Sequence, residues 1–114
     1  MKIAVAGLGR MGMQIARKLA EDGHEVIAHN RSRGPIDEAV TYGAQAAYEK
    51  QDVADAFDGQ PAILWLMVPA DVVDGELDAW LKILPKNSVI VDGGNSNFRQ
   101  TQKRAKTLSV KGQA

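Results

Sequence analysis

The 114-residue chain is 45% apolar and 25% charged, with fourteen basic and fourteen acidic residues in balance and no cysteine. These figures fit one soluble globular domain with a core of its own. They exclude a disulfide framework, a thiolate nucleophile and a cysteine metal site, and leave no excess positive field to recruit nucleic acid or an anionic membrane. No apolar run approaches the roughly 20 residues that cross a bilayer. Met1 leads almost directly into a strand pattern, so no signal peptide is expected and a cytoplasmic location is the default.

Ile3-Ala4-Val5-Ala6 predicts a first strand over residues 2–6, and Gly7-Leu8-Gly9-Arg10-Met11-Gly12 follows at once before a helical pattern over 10–22. Glycine is common, so a G-x-G-x-x-G string means little alone. Between a strand and a helix it is the phosphate-cradling entry of a dinucleotide-binding unit. Gly7 permits the tight turn, Gly9 lets backbone approach a pyrophosphate, and Gly12 allows close helix–sheet packing. The helix start beyond Leu8, at Arg10 and Met11, offers unpaired N–H groups and the positive end of its dipole to an anion. Met11, Ile15 and Leu19, with Ala16 beside them, mark the expected buried face. Gly23 supplies a left-handed stop.

Val26-Ile27-Ala28 predicts the second strand, ending at His29-Asn30. A polar loop with Gly34-Pro35 leads into a short helix reaching Tyr42, with Pro35 suited to its first turn. Gly43 ends that helix, residues 44–47 read as a weak third strand, and residues 49–57 as a helix closed by Asp58-Gly59. Ala62-Ile63-Leu64-Trp65-Leu66-Met67-Val68 is the strongest strand pattern in the chain. Its unbroken apolar character predicts burial on both faces of a parallel sheet. Pro69 stops it. Residues 71–81 read as a helix with Leu77, Trp80, Leu81 and Leu84 as core candidates, and residues 88–91 as the fifth strand. The last helix is expected over 97–108, where Asn97 and Gln100 resemble a capping box. With no linker, repeat or low-complexity segment, the alternation predicts one doubly wound, Rossmann-like α/β domain. Its parallel sheet is expected in the order 3-2-1-4-5, with helices on both faces.

Ligands of such sheets bind outside the carboxyl ends of the strands, at the switch between strands one and four. That rule selects the loops after Ala6, Ala28, Val68 and Val91. At the second of these, NAD-selective proteins place an acidic residue against the ribose 2′-hydroxyl, whereas Asn30-Arg31-Ser32 carries no carboxylate. Asn30 and Ser32 can donate hydrogen bonds to a 2′-phosphate. Arg31 adds charge, a planar donor fork and a surface that stacks on adenine, and Arg33 adds to the field. NADP is therefore expected in preference to NAD. Met67-Val68-Pro69-Ala70 presents small and apolar groups suited to lining a nicotinamide ring and excluding water. In Asp92-Gly93-Gly94-Asn95-Ser96 the glycines allow a close approach, while Asn95 and Ser96 offer donors and acceptors to hydroxyls or a carboxylate. Capping of the last helix by Ser96 or Asn97 is a compatible structural role. Asp92 reads as a turn former. His24 and His29 lack partners at metal-ligand spacing and read as structural or solvated, and Trp65 and Trp80 read as core. No metal site is expected.

On these four motifs the chain resembles, over essentially its whole length, the N-terminal part of the decarboxylating 6-phosphogluconate dehydrogenase family. The glycine turn is shared with related 3-hydroxyacid dehydrogenases, and the run from Asp92 to Ser96 is more specific to the phosphogluconate branch. The resemblance implies oxidation of the 3-hydroxyl of 6-phosphogluconate by NADP, then loss of CO₂ to give ribulose 5-phosphate in the pentose phosphate pathway. It also implies that Asn30, Arg31 and Ser32 hold the adenosine phosphate, that Val68 and Ala70 lie near the nicotinamide, and that Asn95 contacts substrate and cofactor. Asp71 stands where the family often has glycine.

In that family a further strand, a catalytic lysine, a neighbouring His-Asn pair and a dimer-forming helical domain follow the last helix. This sequence ends at Ala114 before them, and Lys103, Lys106 and Lys111 match no catalytic position. No catalytic residue is therefore assigned, and the chain alone is expected to bind cofactor, as a possible monomer, without turning over substrate. A 3-hydroxyisobutyrate-type dehydrogenase domain and a non-catalytic nucleotide-binding module are the competing expectations.

Overall fold

The computed structural model describes residues 1–68 and 72–92. Pro69, Ala70, Asn95, Ser96 and the helix expected over 97–108 lie outside the described residues. Among the described residues nine elements alternate: β1 (Lys2–Ala6), α1 (Arg10–Glu21), β2 (Glu25–His29), α2 (Arg33–Thr41), β3 (Gln45–Ala46), α3 (Lys50–Ala56), β4 (Ile63–Leu66), α4 (Val73–Ile83) and β5 (Val89–Asp92). All strand pairs are parallel, and the sheet order is β3-β2-β1-β4-β5, as the sequence predicts. None of the described helices is long and apolar enough to cross a membrane.

Side chains alternate across each strand, and the two faces feed two apolar layers. Ala4, Ala6, Ile27, Leu64, Leu66 and Ile90 join Val53, Val73, Leu77 and Trp80 beneath α3 and α4. Val5, Val26 and Ala28 join Ala16, Ile36 and Ala39 beneath α1 and α2. Complete burial of a side chain such as Leu64 contributes about 1.5–3 kcal/mol. Central β1 pairs with β2 from Lys2↔Glu25 to Ala6↔His29 and with β4 from Ala4↔Leu64 to Ala6↔Leu66. Ala6 therefore stands between His29 and Leu66, and the loops leaving the three strands emerge side by side.

Three expectations about burial change. Met11 is 58% exposed, because α1 meets the sheet through Gly12 and Ala16, and Met11 lies a turn of about 100° to one side. Leu81 is 40% exposed for the same reason, one residue past fully buried Trp80. On β4, Leu64 and Leu66 are buried while Ile63 and Trp65 are half-buried. The latter pair faces the α1–α2 layer, which among the described residues lies over β1, β2 and β3. α2 begins at Arg33, which places Pro35 in its first turn as expected. Proline is tolerated there because the first-turn N–H groups have no intrahelical acceptor.

The turn leaving β1 is packed backbone to backbone. Gly7 adopts φ +98°, and a Cβ there would run into the carbonyl of Met67. A Cβ on Gly12 would run into the Gly7 carbonyl oxygen. Met67 in turn donates its N–H to the Ala6 carbonyl at 2.7 Å. Gly12→Ala is expected to lower stability by about 1–3 kcal/mol, the usual range for overpacking. The open position Gly34 should accept alanine without loss, and urea unfolding of the two variants makes the comparison.

His29, at the end of β2, is only 7% exposed. Its Nδ1 lies 2.9 Å from the Ala47 carbonyl, to which the neutral ring donates, and its ring stands nearly perpendicular to that of Trp80 with centroids 5.5 Å apart. Burial, reinforced by Lys50, holds its pKa below the usual histidine value, against opposing contributions from the Ala47 carbonyl, Glu76 and Glu49. The unfolded chain thus takes up a proton first. The stability contributed by neutral His29 is complete above pH ~6.5 and falls as the solution is acidified through that value. Urea midpoints should drop between about pH 7 and 5.5, and His29→Gln should flatten that slope.

Candidate functional site

A cleft of about 760 Å³ opens at the carboxyl ends of β1, β2 and β4. Of the residues expected from sequence, Gly7, Gly9, Asn30, Arg31, Met67 and Val68 line it. Gly7 donates its N–H to the His29 carbonyl at 2.9 Å, and Leu8 donates its N–H to Asn30 Oδ1 at 2.8 Å. The Leu8 side chain is buried in the layer beneath α1, so its backbone donor and its side chain are both engaged within the protein.

Gly9 is the N-cap of α1, with φ −69° and ψ −167°, and no side chain caps the helix. The first intrahelical bond runs from the Met13 N–H to the Gly9 carbonyl at 2.8 Å, so the N–H groups of the first turn have no intrahelical acceptor. That turn contains no acidic residue, and a Cβ built on Gly9 would meet no atom within 4 Å. Open space, free donors and the positive end of the helix dipole coincide there, which is the environment a pyrophosphate requires. Arg10 and Met11 are exposed at the same turn.

At the end of β2, Arg31, Ser32 and Arg33 are exposed. Ser32 is the N-cap of α2, its side chain makes no capping bond, and the first turn again lacks an acidic residue. Arg31 forms no ion pair among the described residues. The Arg33 guanidinium lies 4.2 Å from the centroid of the Tyr48 ring, a cation–π distance. Tyr48 donates its hydroxyl to the Asp37 carboxylate, and that bond raises the pKa of the phenol, with Arg33 opposing the rise. Arg33 is thus held against an aromatic face while Arg31 stands clear beside the cleft.

A further part of the cleft wall lies outside the motifs that the sequence singles out. Glu49, Lys50 and Gln51, where α3 begins, contribute to it together with Val72 and Glu76 near the start of α4. Lys50 Nζ lies 3.5 Å from Glu76 Oε1, joining the two helices, and 5.6 Å from the centroid of the Trp80 ring. The strand-end rule covers these residues, since α3 follows β3. Only two residues of β3 are in the sheet, however, and so short a strand gives little signal. Met67 and Val68 are half-buried. Pro69, Ala70, Asn95 and Ser96 lie outside the described residues.

Comparison with known proteins agrees with this geometry. The profile of the NAD binding domain of 6-phosphogluconate dehydrogenase matches residues 2–114. An NAD(+)-dependent, decarboxylating 6-phosphogluconate dehydrogenase of Haloferax volcanii is 40% identical over 111 residues, which is 96% of this chain and 37% of that protein. A decarboxylating 6-phosphogluconate dehydrogenase of Haemophilus influenzae is 33% identical over 115 residues, again 96% of this chain but 24% of the relative. The chain thus spans little more than a third of the former and about a quarter of the latter. Among solved structures, Mycobacterium tuberculosis 3-hydroxyisobutyrate dehydrogenase superposes with a TM-score of 0.80 at 20% identity, over 95% of this chain and 36% of that one. Synechocystis arogenate dehydrogenase gives 0.80 at 22%, over 96% and 38%. At such identities these two establish the fold alone. The sequence relationship goes further: the chain belongs to the 6-phosphogluconate dehydrogenase family of oxidoreductases, as its NAD-binding domain, whose cofactor is a nicotinamide dinucleotide.

Proposed function

We propose that the chain is a single NADP-binding domain, residues 1–114, of an enzyme that oxidises 6-phosphogluconate and releases CO₂ to give ribulose 5-phosphate. The observation carrying the choice of NADP is the end of β2. Arg31 is exposed and free of ion pairs among the described residues, beside an uncapped start of α2 with no carboxylate in its first turn. A 2′-phosphate gains charge-assisted hydrogen bonds from such a guanidinium and meets no like charge there.

In this reading the first turn of α1, from Gly9 through Arg10, Met11 and Gly12, donates backbone N–H groups to the pyrophosphate. Gly7 and Leu8 shape the turn that aims them. Arg31 and Ser32 receive the adenosine phosphate. Met67 and Val68, with Pro69 and Ala70 next in sequence, are assigned to shielding the nicotinamide half from water, Asn95 to cofactor and substrate, and Ser96 to substrate. The bound nicotinamide supplies the acceptor for the hydride leaving the substrate carbinol carbon. No general base is assigned among these 114 residues, so this chain binds dinucleotide and turns over little substrate. Full decarboxylating activity from the chain alone would overturn that statement.

A second reading, preference for NAD, is favoured by the similarity to the NAD(+)-dependent Haloferax enzyme. Titrating both cofactors separates the two. Arg31→Ala is expected to weaken NADP by ~1.5–3 kcal/mol, the range for a lost hydrogen bond to a charged group, while leaving NAD nearly unchanged. Equal losses would remove the phosphate from Arg31. Gly9→Ala should fold normally, since its Cβ meets open space, yet weaken both cofactors by obstructing the pyrophosphate.

A further inference from the structure

Asn30 stands in the segment whose side chains suit a 2′-phosphate, yet its amide already has partners on both sides. Its Oδ1 accepts the Leu8 N–H at 2.8 Å, and its Nδ2 donates to the Ser32 carbonyl at 3.3 Å. These partners have opposite polarity, which fixes the orientation of the amide. Rotated by half a turn, it would set donor against donor at Leu8 and acceptor against acceptor at Ser32. Leu8 is buried at 3% exposure, so without Asn30 its N–H would lose its only protein acceptor among the described residues, at the full cost of an unpaired polar group. The neighbouring Gly7 N–H is bonded to the His29 carbonyl. Two consecutive donors of the glycine turn are therefore tied to two consecutive residues at the end of β2, one through backbone and one through a side chain.

We propose that Asn30 is a positioning residue for the glycine turn, acting through its amide oxygen on the Leu8 N–H, and not a reader of the adenosine phosphate. The inference rests on the dinucleotide site proposed above and deepens it. Asn30 acts equally on NAD and NADP, because both place the same pyrophosphate over the first turn of α1. Discrimination between them falls to Arg31, Ser32 and the start of α2. Aspartate at position 30 retains an acceptor for Leu8 while placing a negative charge near the 2′-phosphate; alanine retains neither acceptor nor charge.

The test combines amide hydrogen exchange on the ligand-free protein with titration of NAD and NADP. In the wild-type chain and in Asn30→Asp the Leu8 amide should exchange slowly, and in Asn30→Ala at least about tenfold faster, the equivalent of one net hydrogen bond. Asn30→Ala should weaken NAD and NADP by the same factor, about tenfold. Asn30→Asp should hold NAD within about twofold of wild type and lose NADP by repulsion. Loss of NADP with NAD spared in Asn30→Ala would make Asn30 a phosphate ligand and overturn the proposal, as would a Leu8 amide whose exchange is the same in all three proteins. If Asn30→Ala does not fold, Asn30→Asp decides alone, since retained NAD affinity with a protected Leu8 amide supports the clamp and loss of either opposes it. A wild-type chain that binds neither dinucleotide would defeat the cofactor reading, and the Leu8 exchange rates would still decide the clamp.

Discussion

The contact on which the rest depends is made without side chains. The carbonyl of Gly7 packs against Gly12 on α1, and Gly7 itself packs against the carbonyl of Met67 beyond β4. Three backbone segments meet where any Cβ would intrude, and that meeting sets how closely α1 lies on the sheet. Ala16, one turn further along, is buried as a consequence, and the start of α1 is directed over the carboxyl edge of β1. Close packing transmits such placement because interiors at crystal-like density have no slack to absorb it. The donors at the first turn are therefore aimed by the core rather than by a loop.

Two kinds of group that can recognise a ligand meet at the cleft and draw on different parts of the fold. Backbone N–H groups at the start of α1 offer directional donors whose identity does not depend on side chains. Charged side chains line the cleft as well, with Arg31 beside the start of α2 and the Lys50–Glu76 pair between α3 and α4, and Arg33 lies two residues beyond Arg31 against Tyr48. Arg31 and Arg33 are exposed and so screened by salt, which in the proposed reading suits them to discrimination more than to raw affinity, while the Lys50–Glu76 pair is half-buried. Between the two sets stands the end of β2, where His29 ties the sheet to the chain after β3 and Asn30 ties it to the glycine turn.

The strand order, the glycine turn and the helical crossovers were legible in the sequence because each is carried by a local period or a local turn. Strands such as Lys2–Ala6 carry a continuous apolar run, here Ile3–Ala6, and Gly7 and Gly12 stand at fixed spacing after it. The misread positions are those decided by partners far along the chain. Met11 and Leu81 fit a helical period, but the approach through Gly12 and the seat of Trp80 choose a neighbouring face. Asn30 offers a donor and an acceptor, and nothing local says which is taken, because the partner is the N–H of Leu8, 22 residues earlier. The wall formed by Glu49, Lys50 and Gln51 escaped notice because β3 is too short to advertise its carboxyl end.

The exposed run Arg31-Ser32-Arg33 has a consequence for how such a domain changes over evolutionary time. None of the three residues belongs to either apolar layer, and all are exposed. Substitutions at exposed positions of this kind commonly alter stability by no more than about 0.5 kcal/mol. The adjoining anchors, Gly7, Gly12 and His29, are buried or sterically fixed and tolerate little. In the placement proposed above, the cofactor's constant portion faces the rigid part of the protein, and its variable portion faces the part where mutation costs little stability. On that placement, a few surface replacements would exchange one nicotinamide dinucleotide for the other, with the fold held unchanged beneath them.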